Sequence, residues 1–301
     1  MTTNEYLTEV LESQKLDDGS KELKELQEHR ADVEKLLRKS FEDSSPTIRY
    51  GGSKAKGTLI LESYDLDINC YFPSDDTAAG ESLEDIFNNV RKALDEKYYV
   101  TPKTSALRLK SKNPASLAVD FHIDVVPGRF VDGDDGDCFI YQSNAEKKRL
   151  KTNLDVHINH VKGSGVTEAI RLLKLWKTRK AIPVKQFVWE LLIIKLLKGK
   201  TGDSFSEQLE HVWTEIINSK VAIAVEDPAN PTGNDLSPVL TEVWQFLSSS
   251  SDATLKLIGS SGWEAVFGTT KRPEESSRIA ALTRAVSAAP VRTKPWSSET
   301  E

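Results

Sequence analysis

The chain has 301 residues, with 40 Lys and Arg against 46 Asp and Glu, for a formal charge of −6. That length can bury one large core or two moderate ones, and the acidic balance argues against a broad electrostatic grip on nucleic acid. The two cysteines, Cys70 and Cys138, are too few for a four-ligand zinc ribbon and suit a reducing cytosol, so a cytoplasmic location is expected.

At the N-terminus, Glu5, Glu9 and Glu12 stand among apolar residues, unlike a secretory signal. Residues 20–41 set Leu23, Leu26, Val33, Leu36, Leu37 and Phe41 at helical spacing, which predicts a long amphipathic helix. Residues 46–72 then read as strand, turn and strand, the turn carrying Gly52-Ser53 and Gly57-Thr58. Within 64–72 the residues alternate and suit a strand, so Asp65 and Asp67, two apart, project to one face. Residues 82–97 predict a helix with Ser82 as N-cap and Asp85 three residues on. Two or three strands follow up to Pro127. In the strand expected over 119–126, Val119, Phe121, Ile123 and Val125 share one face, and Asp120, His122 and Asp124 the other. The acids and glycines at 132–137 lack the spacing of a calcium loop and its closing Glu, and read as a solvated loop.

From about 146 onward the pattern becomes helical: 167–179, an almost wholly apolar 187–197, 205–217, and 239–258 with a break expected at its serine run. The apolar run Leu191-Leu192-Ile193-Ile194 is cut by Lys195, so it reads as a buried helix and no membrane span is expected. Trp176, Trp189, Trp213, Trp244 and Trp263 fall in helical patterns and are expected in the core, whereas Tyr64 or Tyr141 is a candidate to stack on a base. His157 and His160 lie three apart on a helix with no obvious further ligand. Beyond 270, Pro273, Pro290 and Pro295 among Ser, Ala and charged residues predict a disordered tail, with one short helix over 279–286.

The order of these parts carries the chemistry. A Gly-Ser turn offers converging amides to phosphate, and an acid pair with a third acid on a neighbouring strand offers the hard oxygen donors that Mg²⁺ takes. Two such ions about 3.5–4 Å apart stabilise both the attacking and the leaving oxygen of an in-line displacement. Asp65, Asp67 and Asp124 are therefore the candidate catalytic and metal-binding residues, with Asp120 an alternative to Asp124 that the Pro127 context disfavours. Lysines 54, 56, 174 and 185 could make a local positive pocket, although Lys54 and Lys56 also fit ordinary solvated surface.

The stretch Gly52-Ser53-Lys54-Ala55-Lys56-Gly57-Thr58 through Asp65-Leu66-Asp67 resembles the signature of the polymerase-β-like nucleotidyltransferases. Within them it most resembles the CD-NTases, bacterial relatives of cyclic GMP–AMP synthase and oligoadenylate synthase. His122-Ile123-Asp124-Val125-Val126-Pro127 resembles the third-acid strand, and Arg171-Leu172-Leu173-Lys174-Leu175-Trp176-Lys177 the helix whose lysine reaches the donor triphosphate. Asp227-Pro228-Ala229-Asn230-Pro231-Thr232-Gly233-Asn234 and Trp263-Glu264-Ala265-Val266-Phe267-Gly268 resemble two further family segments, so the likeness runs over about 20–268.

The resemblance implies an α+β fold, with a polymerase-β-like core of mixed sheet and helices and a C-terminal helical lobe. The expected division is 1–145, with N-terminal helices and the core, then 146–268 helical, then the tail 269–301. It implies that Gly52, Ser53, Lys174 and, in place of a more usual serine, Gln186 contact the nucleotide. It also implies Mg²⁺ (or Mn²⁺), NTP substrates with ATP foremost, a cyclic di- or trinucleotide product used as a second messenger in anti-phage signalling, and a regulatory or effector protein partner. Other readings are an RNA-tailing or small-acceptor nucleotidyltransferase, and a non-catalytic nucleotide-binding scaffold.

Overall fold

The computed structural model describes residues 1–16, 19, 21–112, 123–133, 136–144 and 146–271. Two large apolar cores organise these residues, one under a mixed sheet and one among helices, beside a smaller cluster of Tyr71, Phe130, Cys138, Ile140 and Leu154. Val119, Asp120, Phe121 and His122, and the tail from 272 onward with the helix expected over 279–286, lie outside the described residues.

The long helix expected near the N-terminus is α2 (Lys21–Ser40), whose Leu23, Val33 and Leu37 are buried against the sheet. The chain then enters strand β1 (Thr47–Tyr50), turns through the short helix α3 (Gly52–Lys56), and returns as β2 (Leu66–Phe72). Helix α4 (Leu83–Asp95) starts where predicted: Ser82 accepts from the Asp85 amide while Asp85 reaches back to the Ser82 amide, a reciprocal cap. Strands β3 (Tyr98–Pro102), β4 (Leu107–Ser111), β5 (Ile123–Phe130), β6 (Cys138–Tyr141) and β7 (Arg149–Thr152) complete the sheet. Its order is β1-β2-β5-β4-β3, with β6 beside the far half of β5 and β7 outside it. Among the described strands only β2 and β5 run parallel, and their register sets Asp67 opposite Asp124.

Pro127 does not end β5. It stands inside the strand opposite Cys70, and the strand continues to Phe130 with its far half paired to β6. Both cysteines are buried free thiols.

The second core gathers α5 (Leu154–Lys162), α6 (Thr167–Arg179), α7 (Gln186–Leu196), α8 (Phe205–Asn218), α9 (Ser237–Thr241), α10 (Trp244–Ser261) and α11 (Glu264–Phe267). Trp176, Trp189 and Trp213 are fully buried there, Trp244 nearly so, and Trp263 packs at its edge. The serine run does not break α10. Ser251 and Thr254 donate to the carbonyls four residues back, at 2.8 and 2.7 Å, which satisfies their hydroxyls inside a helix. The break falls earlier, between α9 and α10.

Two features cross the division expected near 145. Strand β7 lies beyond it yet belongs to the sheet. Helix α1 (Thr3–Ser13) lies well before it yet buries Tyr6, Leu7, Val10 and Leu11 in the helical core. A polar clasp explains the second. Arg179 of α6 donates to Glu62 at 2.8 Å and also to the Phe267 carbonyl, while Gln14 donates to Glu62 at 2.9 Å. Tyr6 donates to the Gly268 carbonyl at 2.6 Å. The Trp263–Gly268 segment thus ties α1, α6 and the loop before β2 together.

Removing Arg179 leaves Glu62 and the Phe267 carbonyl short of a donor, so Arg179→Ala should destabilise by about 1–3 kcal/mol. Urea unfolding reads this, and a change within about 0.5 kcal/mol, as for an ordinary surface substitution, would contradict the clasp.

Candidate active site

The approach of β1 to β2 builds the site from the backbone outward. The Gly51 amide donates to the Asp67 carbonyl at 2.8 Å, so the chain turns out of β1 directly over Asp67. Gly52 follows with φ +52, and a β-carbon there would sit 1.6 Å from the Asp67 Oδ2 atom. Only glycine admits both that backbone and that approach. The Gly-Ser turn and the acid pair are therefore one packed unit, and the expected turn is the start of α3, closed by Gly57 in the left-handed region.

A cavity of about 390 Å³ opens beside it, lined among others by Ser53, Asp65, Asp67, Lys174 and Gln186. Lys174, buried on α6, donates to Ser53 Oγ at 2.9 Å, which joins the helical core to the turn. Burial pushes its amine below the ordinary lysine range, against the pull of Glu190, Asp65 and Asp67. One turn on, Lys177 also lines the cavity, and burial together with Lys174 lowers its pKa to about 8.

Lys56 is no surface lysine. It is buried, donates to Glu190 at 2.8 Å, and lies 4.8 Å from the Phe187 ring centroid. Glu190 also accepts from Thr58 at 2.8 Å and from the Gln186 amide at 3.2 Å. Burial would raise its carboxyl, but Lys56 and the hydrogen bonds outweigh that and hold it below its usual range. Gln186 thus stands at the cavity with one amide hydrogen committed to Glu190, and its buried carbonyl oxygen has no partner among the described residues.

Asp67 and Asp124 differ sharply in setting. Asp67 is pushed up to about 6, first by burial and then by the charges of Asp65 and Asp124, with Lys56 and Lys174 opposing. Asp124 moves the other way: burial opposes ionisation, yet Arg108 and Lys103 bind its carboxylate and hold it below the usual range. Among the described residues no three His, Cys, Asp or Glu side chains already stand as a metal cage. The chemistry of the donors nevertheless fits a divalent cation. Asp67 sits in a field of negative charge that such an ion relieves, and all three candidates are hard oxygen donors.

The two tyrosines proposed to stack on a base do not face this cavity. Tyr64 is buried in the sheet core, and Tyr141 lies on β6, where it packs against Phe87 and donates to Glu84 at 2.8 Å. A second, larger cavity of about 690 Å³ is lined by Tyr141 together with Ser82, residues 147–151, Asn230 and Gly233, and none of the candidate acids or other nucleotide-binding candidates lines it.

His157 has the acidic partner that the sequence did not reveal. Its Nε2 lies 2.7 Å from Asp227 Oδ1, and Asp227 also accepts from Asn234 at 2.7 Å and from the Ala229 amide at 2.9 Å. The His157 ring lies 4.6 Å from that of Phe187. The 227–234 loop therefore braces a wall of the cavity from behind. Glu190, Lys177, Arg108 and Lys103 also went unnoticed in the sequence. Glu190 had a signal, since a lone acid in the apolar run of α7 is costly to bury without a partner.

No protein-family model matches the sequence, and no curated protein matches it. Solved structures do. CdnC from Escherichia coli MS115-1, solved with ATP, superposes with a TM-score of 0.65 at 18% identity, over 90% of this chain and 99% of that one. CdnG, a CD-NTase from Bradyrhizobium diazoefficiens solved with GTP, gives 0.66 at 14% identity, over 95% and 98%. DncV from Escherichia coli, bound to 3'-deoxy GTP, gives 0.59 at 14% identity, over 91% and 82%. The fold is thus the α+β fold of these enzymes, a polymerase-β-like core with a helical lobe.

Two outcomes follow from the packing. Gly52→Ala should push Asp67 and the turn apart and cost about 1–3 kcal/mol of stability, since a β-carbon 1.6 Å from the carboxylate must be accommodated at a positive φ; an unchanged urea midpoint would contradict the packed unit. Lys56→Met should cost about 3–5 kcal/mol by stranding Glu190, and Lys56→Met/Glu190→Met should recover much of it. In the parent chain that contribution is complete above the ordinary glutamate pKa of about 4.3 and is lost as pH falls through the lower folded value. Urea unfolding from pH 7 to 3 checks both, and a double variant no better than the single would contradict the pairing.

Proposed function

We propose that this chain is a nucleotidyltransferase of the CD-NTase kind, joining NTPs through a hydroxyl to make a cyclic di- or trinucleotide. One observation carries the reading: the acid pair, the Gly-Ser turn and Lys174 meet at one cavity, with Asp124 beside Asp67 on the neighbouring strand. The fold supports it, as do the nucleotides held by CdnC and CdnG.

In this mechanism Ser53 and the backbone amides near it receive the donor triphosphate. Lys174 exchanges part of its contact with Ser53 for phosphate oxygens, and its burial makes that exchange favourable, because an anion relieves a desolvated ammonium. Lys177 adds charge from one turn further along α6. Asp65, Asp67 and Asp124 would hold Mg²⁺, with Mn²⁺ as a substitute. When bound, the metal neutralises phosphate charge and polarises the reacting oxygens. Asp67 and Asp124 would draw the acceptor hydroxyl towards the α-phosphate of the donor, and Asp124 would take its proton as the new O–P bond forms and the bond to the leaving pyrophosphate breaks. Catalysis rests on positioning and charge placement, with little covalent work for the protein.

ATP is the proposed first substrate. The product would serve as a second messenger to an effector in phage defence. A regulatory protein partner fits the same reading, since CdnC has also been solved in complex with a HORMA protein. No helix among the described residues is long and apolar enough to cross a membrane.

Incubation with all four NTPs and Mg²⁺ or Mn²⁺, followed by mass spectrometry of phosphatase-resistant products, tests the proposal. A cyclic oligonucleotide should form and fall at least about 100-fold in Asp65→Asn/Asp67→Asn, with the unfolding midpoint retained. Turnover that survives that double change would overturn the site, and label incorporated only into added RNA would overturn the acceptor.

A further inference from the structure

The cavity of about 690 Å³ takes no part in the proposed chemistry, and its size suits a small-molecule site. The β6–β7 hairpin builds it. Its register sets Phe139 opposite Lys151 and Tyr141 opposite Arg149, so these four side chains share one face of the sheet. The start of α4, through Ser82 and Leu83, and the 227–234 loop, through Asn230 and Gly233, complete the lining. Tyr141 is buried and Phe139 and Leu83 are half-buried, which gives the cavity an apolar floor.

Positive charge surrounds that floor, although the chain as a whole is acidic. Lys147, Lys148 and Arg149 are exposed and Lys151 is half-buried, while Glu84 is the one acid among the described lining residues. Two of the cations are engaged: Lys151 donates to Asp137 at 2.7 Å, and Lys148 to the Ser143 carbonyl at 2.8 Å. Arg149 stands 4.7 Å over the Phe139 ring, a contact that orders the guanidinium without neutralising it. Neither Arg149 nor Lys147 meets a carboxylate among the described residues. Cations so placed call for phosphate, and an ordered guanidinium beside aromatic rings offers a surface on which a nucleobase stacks. A triphosphate fits poorly, because its charge calls for a metal and the only lining acid already accepts from Tyr141 at 2.8 Å. Phosphodiesters carry a single charge each, need no metal, and match cations spread along a hairpin.

Resting on the reading of this chain as a maker of cyclic oligonucleotides, we infer that this cavity is a second site, which takes the phosphodiester product in preference to the triphosphate substrate. Lys147 and Arg149 bind its phosphates, and the Arg149–Phe139 pair receives a base. The 227–234 loop is a wall shared with the catalytic cavity. On the outer side Asn230 lines the product site and donates to the Lys151 carbonyl at 3.1 Å. On the inner side Asp227 bonds His157, whose ring packs on Phe187, a residue of the catalytic cavity. The loop is folded tightly between them, since a β-carbon on Gly233 would meet Asn230 Oδ1 at 2.4 Å. Product held outside therefore rests against the loop that backs the catalytic cavity, and leaves that cavity free for the next substrate.

Equilibrium dialysis of the intact chain against radiolabelled cyclic di-AMP, cyclic GMP–AMP and cyclic tri-AMP, in chelator, tests the site, with ATP as the triphosphate control. At least one cyclic probe should bind. Lys147→Glu/Arg149→Glu should weaken that binding at least about tenfold, because two charged contacts are reversed. Both positions are exposed, so the unfolding midpoint should be retained, and Lys147→Gln/Arg149→Gln gives the milder comparison. Asp65→Asn/Asp67→Asn should leave the cyclic probe's affinity within about twofold, as expected for separate sites. ATP binding should not depend on Lys147 or Arg149. Failure of every cyclic probe to bind would overturn the site, as would binding lost in the acid variant and kept in the charge-reversed one. ATP binding that falls alongside the cyclic probe's would overturn the preference for product. The two readings fail separately: binding that depends on Lys147 and Arg149 in a chain that makes no cyclic product would leave the site standing and remove the synthase reading.

Discussion

The closeness of Gly52 to the Asp67 carboxylate is the constraint from which the rest of the site follows. A β-carbon at Gly52 would overlap that carboxylate, so the Gly52-Ser53 turn and Asp67 cannot be positioned independently. The antiparallel register of β1 on β2 delivers the turn, and the parallel register of β2 on β5 delivers Asp124 on the other side. Three strands thus converge on a spot where backbone amides, carboxylates and a glycine replace side-chain bulk. Crowding of negative charge at Asp67 is the electrostatic consequence, and it makes the spot receptive to positive charge.

Helices of the second core supply that charge. Lys174 and Lys177 come from α6, and α7 contributes Glu190, which captures Lys56 from α3. Each contact crosses from the helical core to the sheet side, so the cavity is also the seam between the two. Buried ion pairs give little net stability against apolar packing, but they fix geometry, and the Lys56–Glu190 pair fixes it beside the turn. Away from the cavity, the Arg179, Glu62 and Gln14 clasp holds the same seam, and the Asn230 amide donates across it to the Lys151 carbonyl of β7 at 3.1 Å. Polar groups, then, decide how the lobes meet, while the tryptophan-rich core decides that the helical lobe exists.

Much of this was legible before any coordinates. Helices 167–179 and 82–97 read clearly because long amphipathic periods and a reciprocal cap are local signals, and local signals survive folding. Gly52-Ser53, Asp67 and Asp124 were legible because each sits at a turn or strand position that the pattern exposes, whereas Asp65 lies just before β2 rather than in the strand expected from Tyr64. Partnerships across the seam were not. Lys56 looked like solvated surface because its partner stands 134 residues away. Nothing local to His157 points to Asp227, and Tyr64 and Tyr141 looked available to a ligand because burial depends on packing that no short window contains. The serine run misled for a different reason: serine is a poor helix former alone, but α10 satisfies its hydroxyls on its own carbonyls. Likewise Pro127 suggested a strand end, although a proline is tolerated where β5 changes partners from β4 to β6.

A crystal structure with Mg²⁺ and a non-hydrolysable ATP analogue tests the central claim most directly. The account predicts the triphosphate in the 390 Å³ cavity, against Ser53 and the Lys174 and Lys177 amines, with the metal on the aspartates. A nucleotide seated instead in the larger cavity of about 690 Å³ between α4, β7 and the 227–234 loop would contradict it.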